Sequence, residues 1–114
     1  MAFDSATVST PAPSGSVFFD RQELDLLLRL YGRMVGAGHW RDYAIDALKD
    51  AAVFSVFRRS SETPIYRIEK RWPHSPRQGP WTVTAPGGLV LKRGHDLAQV
   101  LRVFDRARFA VVET

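Results

Sequence analysis

Residues 65–72 read IYRIEKRW, and the alternation in this stretch decides the fold. A strand turns successive side chains to opposite faces, so Tyr66 and Ile68 fall on one side and Arg67, Glu69 and Arg71 on the other. Upstream, residues 53–57 (VFSVF) are an apolar run rich in β-branched and aromatic residues, which also suits a strand. The intervening RRSSETP is a polar turn, and Pro64 belongs at a strand start because it has no N–H to give to a ladder. Downstream, PHSPRQGP (73–80) reads as a loop. Strands over 81–85 and 89–92 then form a hairpin around Pro86, Gly87 and Gly88. Residues 42–48 (DYAIDAL) fit two periods: Tyr43, Ile45 and Ala47 a strand, Ile45 and Leu48 a short helix. The strand is preferred, with Lys49 and Asp50 in a turn.

Outward from this centre the period changes to that of a helix. Leu24, Leu27, Leu28, Tyr31 and Val35 recur at helical spacing, and Leu26 and Leu30 widen the apolar face. Asp20 can accept from the free amides of a first turn, Glu23 stands at the reciprocal capping-box position, and Phe19 and Leu24 have staple spacing. The helix should stop near Gly36 or Gly38, where a left-handed residue is sterically cheap. At the other end Leu97, Val100, Leu101 and Phe104 predict a second helix, with Asp96 in its first turn and Arg106 in its last. Residues 109–112 add a candidate terminal strand. The expected fold class is therefore α+β: an antiparallel β-meander of four or five strands flanked by an N-terminal and a C-terminal α-helix. Residues 1–16, poor in anything to bury, are expected as a disordered N-terminal tail, and 17–114 as a single α+β domain.

Composition narrows the function classes. With 114 residues, 45% hydrophobic and 25% charged, the chain can build one core without metals or cross-links. The absence of cysteine removes disulfide frameworks, thiol catalysis and cysteine-ligated metals, and suits a reducing, cytoplasmic setting. No secretory signal pattern opens the chain, and no apolar run approaches the ~20 residues of a membrane span. Residues 1–57 carry five Lys/Arg against seven Asp/Glu, and residues 58–114 eleven against five, so the formal charge of +4 divides into −2 and +6. A basic second half invites a polyanion or an acidic partner.

Four runs in order, LYGRMVGAGHWRDYAIDAL, AVFSVFRR, PIYRIEKRW and LVLKRGHDLAQVLRVFD, resemble a small alphaproteobacterial family known as domain of unknown function 2794. The resemblance covers about residues 18–106, with the loop at 73–80 departing most through its extra proline. It implies a cytoplasmic bacterial protein and brings with it no reaction and no functional residues.

The chemistry-bearing residues form no recognisable catalytic or metal-binding set. His39, His74 and His95 are far apart and lack HExxH spacing. His95 and Asp96 could serve acid–base chemistry, but their place before the second helix makes capping the simpler account. Ser60 and Ser61 lie in a polar turn without GxSxG context, and no glycine-rich phosphate loop is present. Asp42, Asp46 and Glu69 are magnesium ligands in type but not in spacing. No cofactor or metal is expected, and the reading leans away from an enzyme. What remains is a basic set, Arg58, Arg59, Arg67, Lys70, Arg71, Trp72, Lys92 and Arg93, supplemented by Arg77 and by Tyr66 and Trp81. Guanidinium groups hold phosphates and aromatic faces stack on unpaired bases, so this set is the candidate nucleic-acid site. Strand alternation, however, sends Arg67 and Arg71 to the face opposite Tyr66, Lys70 and Trp72. The expected function is a small non-enzymatic cytoplasmic interaction or regulatory module binding another protein or a second copy of itself, with no membrane partner. The alternative is a nucleic-acid-binding protein using the basic half.

Overall fold

The first helix begins where its cap predicts. In the computed structural model, which describes residues 15–59 and 63–105, Asp20 Oδ1 accepts from the Glu23 amide at 2.8 Å and Glu23 Oε1 accepts from the Asp20 amide at 2.8 Å. This reciprocal capping box starts helix α1 (Arg21–Gly36). Gly38, at φ 84°, turns the chain out of it, and the amides of His39 and Trp40 fold back onto the Met34 carbonyl. The buried stripe of α1 is Leu27, Leu30 and Met34. Leu24, Leu28 and Tyr31 pack beside it, whereas Leu26 and Val35 are exposed. The helix is thus rotated slightly from the stripe ending on Val35, because Met34 completes the three-and-four spacing from Leu27 and Leu30 on the side the sheet occupies.

Among the described residues five strands follow: β1 (Asp42–Ala47), β2 (Ala51–Phe57), β3 (Tyr66–Arg71), β4 (Trp81–Ala85) and β5 (Leu89–Gly94). They lie in the order β1-β2-β3-β4-β5, and every neighbouring pair is antiparallel. Residues 42–47 are a strand, as preferred, because a tight turn returns the chain to pair with them along their whole length. Strand β2 starts two residues before the apolar run predicts, and all but its last residue are buried. Gly87 and Gly88, at φ 81° and 80°, supply the left-handed backbone of the β4–β5 turn, and a register shift at Val83 and Thr84 interrupts the pairing.

The C-terminal helical segment opens with α2 (Leu97–Val100), capped by Asp96, whose carboxylate accepts from the Ala98 amide at 3.0 Å. A turn at 101–102 interrupts the helix, which resumes at 103–105, and Leu97, Val100, Leu101 and Phe104 are all buried as their spacing implies. Arg106 and the candidate strand at 109–112 lie outside the described residues, as does most of the N-terminal tail. Both helical segments bury their apolar sides in one core with Ala52, Phe54, Val56, Ile68, Trp81 and Val83 of the sheet. Phe104 meets the rings of Trp40 and Tyr66 edge-on, at 5.2 and 5.1 Å between centroids. Lys70 reaches from β3 to the start of α1, where Nζ donates to Glu23 Oε1 at 2.8 Å and to the Phe18 carbonyl at 3.0 Å. That half-buried pair ties the capped helix end to the central strand.

Candidate binding trough

On the face of the sheet away from the helices, β3 presents Arg67, Glu69 and Arg71, as its alternation predicts. Register then brings in residues distant in sequence. Arg67 lies opposite Thr84 and Glu69 opposite Thr82 on β4, while Thr82 lies opposite Arg93 and Thr84 opposite Val90 on β5. These side chains line a concave trough of about 620 Å3. Thr63, Pro64 and the Pro86–Gly88 turn bound one end, and the loop at 73–79 bounds the other.

That loop is held against the end of β5. Nε2 of His95 lies 2.6 Å from the Pro76 carbonyl, and since a carbonyl oxygen only accepts, this nitrogen carries the proton. Gly79, at φ 82°, passes so close to Gly94 and His95 that a Cβ would overlap their backbone. The loop at 73–79 therefore forms one wall of the trough.

The floor is polar and mostly closed to solvent: Glu69 and Thr82 are each 8% exposed. Nη2 of Arg71 sits 2.7 Å from Glu69 Oε1, an ion pair whose direction makes no hydrogen bond, so that buried oxygen has no hydrogen-bond partner. Arg67 and Arg93 are exposed and form no ion pair with a described residue. Among the described residues that line the trough, three guanidinium groups stand against one carboxylate.

The eight residues of the basic set are thus divided. Arg67, Arg71 and Arg93 converge on the trough. Lys70 points the other way and is engaged with Glu23, and Lys92, paired with Val83, is exposed on the last strand. Arg58 and Arg59 are exposed in the bend after β2, and Trp72, 65% exposed, follows Arg71 with its ring edge-on to His74 at 5.7 Å. Thr82, Thr84 and Glu69 are among the trough residues that sequence reasoning did not assign to this site. The alternation of WTVTA marks the two threonines as one face, but only the β3–β4 register sets them beside Arg67 and Glu69.

Asp46 and Glu69 share a row of the sheet with Val53 between them, and no group of three described His, Asp or Glu residues is placed to hold a metal ion. Tyr43 and Tyr31 pack edge to face at 4.8 Å, and the Tyr31 hydroxyl donates to the Arg41 carbonyl at 3.0 Å. Both phenols are raised above the ordinary tyrosine value, first by burial and then by the negative charge of Asp42. Neither they nor His95 line the trough. No described helix is long and apolar enough to cross a membrane.

A family model, that of a protein of unknown function (DUF2794), matches residues 17–101, nearly the span of the sequence resemblance. No curated protein and no solved structure matches the chain.

Proposed function

The chain belongs to this family of unknown function, whose description assigns no reaction, and we propose that it is a non-enzymatic binding module whose trough receives an acidic segment of a partner protein. The observation that carries the reading is the convergence of Arg67, Arg71 and Arg93, from two strands, on one concave face. Guanidinium forks match carboxylates in geometry as well as charge, and those of Arg67 and Arg93 are not committed to an ion pair among the described residues. The volume of about 620 Å3 lies within the range of sites that enclose a small ligand or a short chain segment. The lack of cysteine supports a reducing, cytoplasmic setting for the module.

The test is titration calorimetry with a seven-residue peptide of threonines carrying two glutamates four positions apart. Replacing Arg67 and Arg93 together by Gln should weaken this binding at least about tenfold, since two charge-assisted contacts are lost. A folded double variant that binds as the parent does overturns the reading. One observation favours the nucleic-acid alternative: Trp72 offers an exposed ring next to Arg71, as a stacking platform requires. Binding of a single-stranded oligonucleotide that Trp72→Ala abolishes would support that alternative.

A further inference from the structure

We infer that the segment received by the trough is extended and carries an acidic, a basic and an acidic residue at alternate positions, complementary to Arg67, Glu69 and Arg71. This rests on the trough being the binding surface and specifies what it selects. The three side chains repeat every second residue of β3, so their charges follow the order plus, minus, plus at a spacing of about 6.7 Å. An extended peptide has the same repeat, and its alternate side chains meet them in register.

The middle position is the selective one. Glu69 is 8% exposed and stands between two arginines of its own strand at the floor, its Oε1 held in an ion pair 2.7 Å from Arg71 Nη2 without a hydrogen bond. A second carboxylate lowered onto it would meet a like charge where little water remains to screen it. An ammonium or guanidinium group instead supplies the donors a carboxylate takes. Arg71, although ion-paired through Nη2, keeps a half-exposed guanidinium with further N–H groups for a partner carboxylate.

The same charge order argues against two other occupants. A second copy docked about a two-fold axis centred on Glu69 would lay Glu69 against its own equivalent and Arg67 against Arg71, like charge on like. A single strand of nucleic acid carries a phosphate at every step and so places one over Glu69. It would also want aromatic rings in the trough, yet Tyr66, at its margin, has its ring packed against Trp40 and Phe104.

Three seven-residue threonine peptides test this by calorimetry at low salt, each with glutamates at the second and sixth positions and with lysine, threonine or glutamate at the fourth. The lysine-centred peptide should bind about tenfold more tightly than the glutamate-centred one. Glu69→Gln should abolish or reverse this preference, and the threonine-centred peptide should bind at least as tightly as it does to the parent, since Arg71 is released from its ion pair. If the parent binds the threonine-centred peptide but does not rank the other two in this order, the charge-order inference falls and the binding module stands. If no peptide binds, both fall. An oligonucleotide bound more tightly than any peptide, or a stable dimer at sedimentation equilibrium that the lysine-centred peptide does not dissociate, also overturns the inference. The parent's ranking decides the matter even where Glu69→Gln does not fold.

Discussion

Tyr43 buries a hydroxyl that has no hydrogen-bond partner, and removing an unsatisfied polar group costs little. Tyr43→Phe should therefore leave the urea midpoint at neutral pH unchanged or higher. Its alkaline behaviour should differ more. Because burial and Asp42 raise the Tyr43 phenol above 10.0, the unfolded chain loses that proton first as pH climbs. The stabilising contribution is complete below about 10 and is lost as pH rises through the folded-state value. The phenylalanine variant should lose less stability over that window than the parent; identical alkaline profiles would mean that Tyr43 ionises equally in both states. Lys70 makes a different point at this scale. In sequence it is one cation of a basic run, yet its ammonium holds Glu23 and the Phe18 carbonyl across to the first helix. Alternation puts Lys70 on the side of Ile68, but charge itself has no period along a chain, so nothing local shows that this cation clamps a helix.

Among the elements, α1 shows where periodicity stops being informative. Leu26, Leu27, Leu28 and Leu30 lie so close together that several rotations of the helix bury three of them equally well. The sheet selects one rotation: Leu27 and Leu30 are 0% and 2% exposed, and Leu26 is 37% exposed. Leu27→Ala should accordingly cost about 2 to 5 kcal/mol in chemical unfolding, through lost burial and a cavity among close-packed neighbours. Leu26→Ala should cost less than about 1 kcal/mol, as exposed substitutions usually do. Equal losses from the two would place the helix in a different rotation. The strands are easier to read, because two-residue alternation leaves only two choices of face and the apolar members of β3 and β4 identify the inner one.

For the whole molecule, the decisive feature is that α1 and the segment from Leu97 to Phe104, from opposite ends of the domain, complete a single core. Neither can leave without exposing the other's contacts, so unfolding should be one cooperative transition. Far-UV circular dichroism, which follows the helices, and the fluorescence of the buried Trp40 and Trp81 should give the same urea midpoint. Separate midpoints would mean that one end of the domain opens independently.

By itself the sequence determined the elements and their succession: the capping box at Asp20, the alternation of IYRIEKRW, and the glycine turn at 86–88. These signals are local, since caps, turns and alternation act over a few residues of backbone, and short connections between strands then make a meander the simplest path. Only the tertiary structure decided which charges meet. Arg93 reaches the trough because β5 pairs with β4 and β4 with β3, a register summed over two hairpins and shifted at Val83 and Thr84. Alternation alone carries Lys70 to the face opposite Arg71, but its bond to Glu23 comes only with the packing of the first helix. Such convergence depends on distances between residues far apart along the chain, which no local pattern encodes, and it is the property on which binding rests.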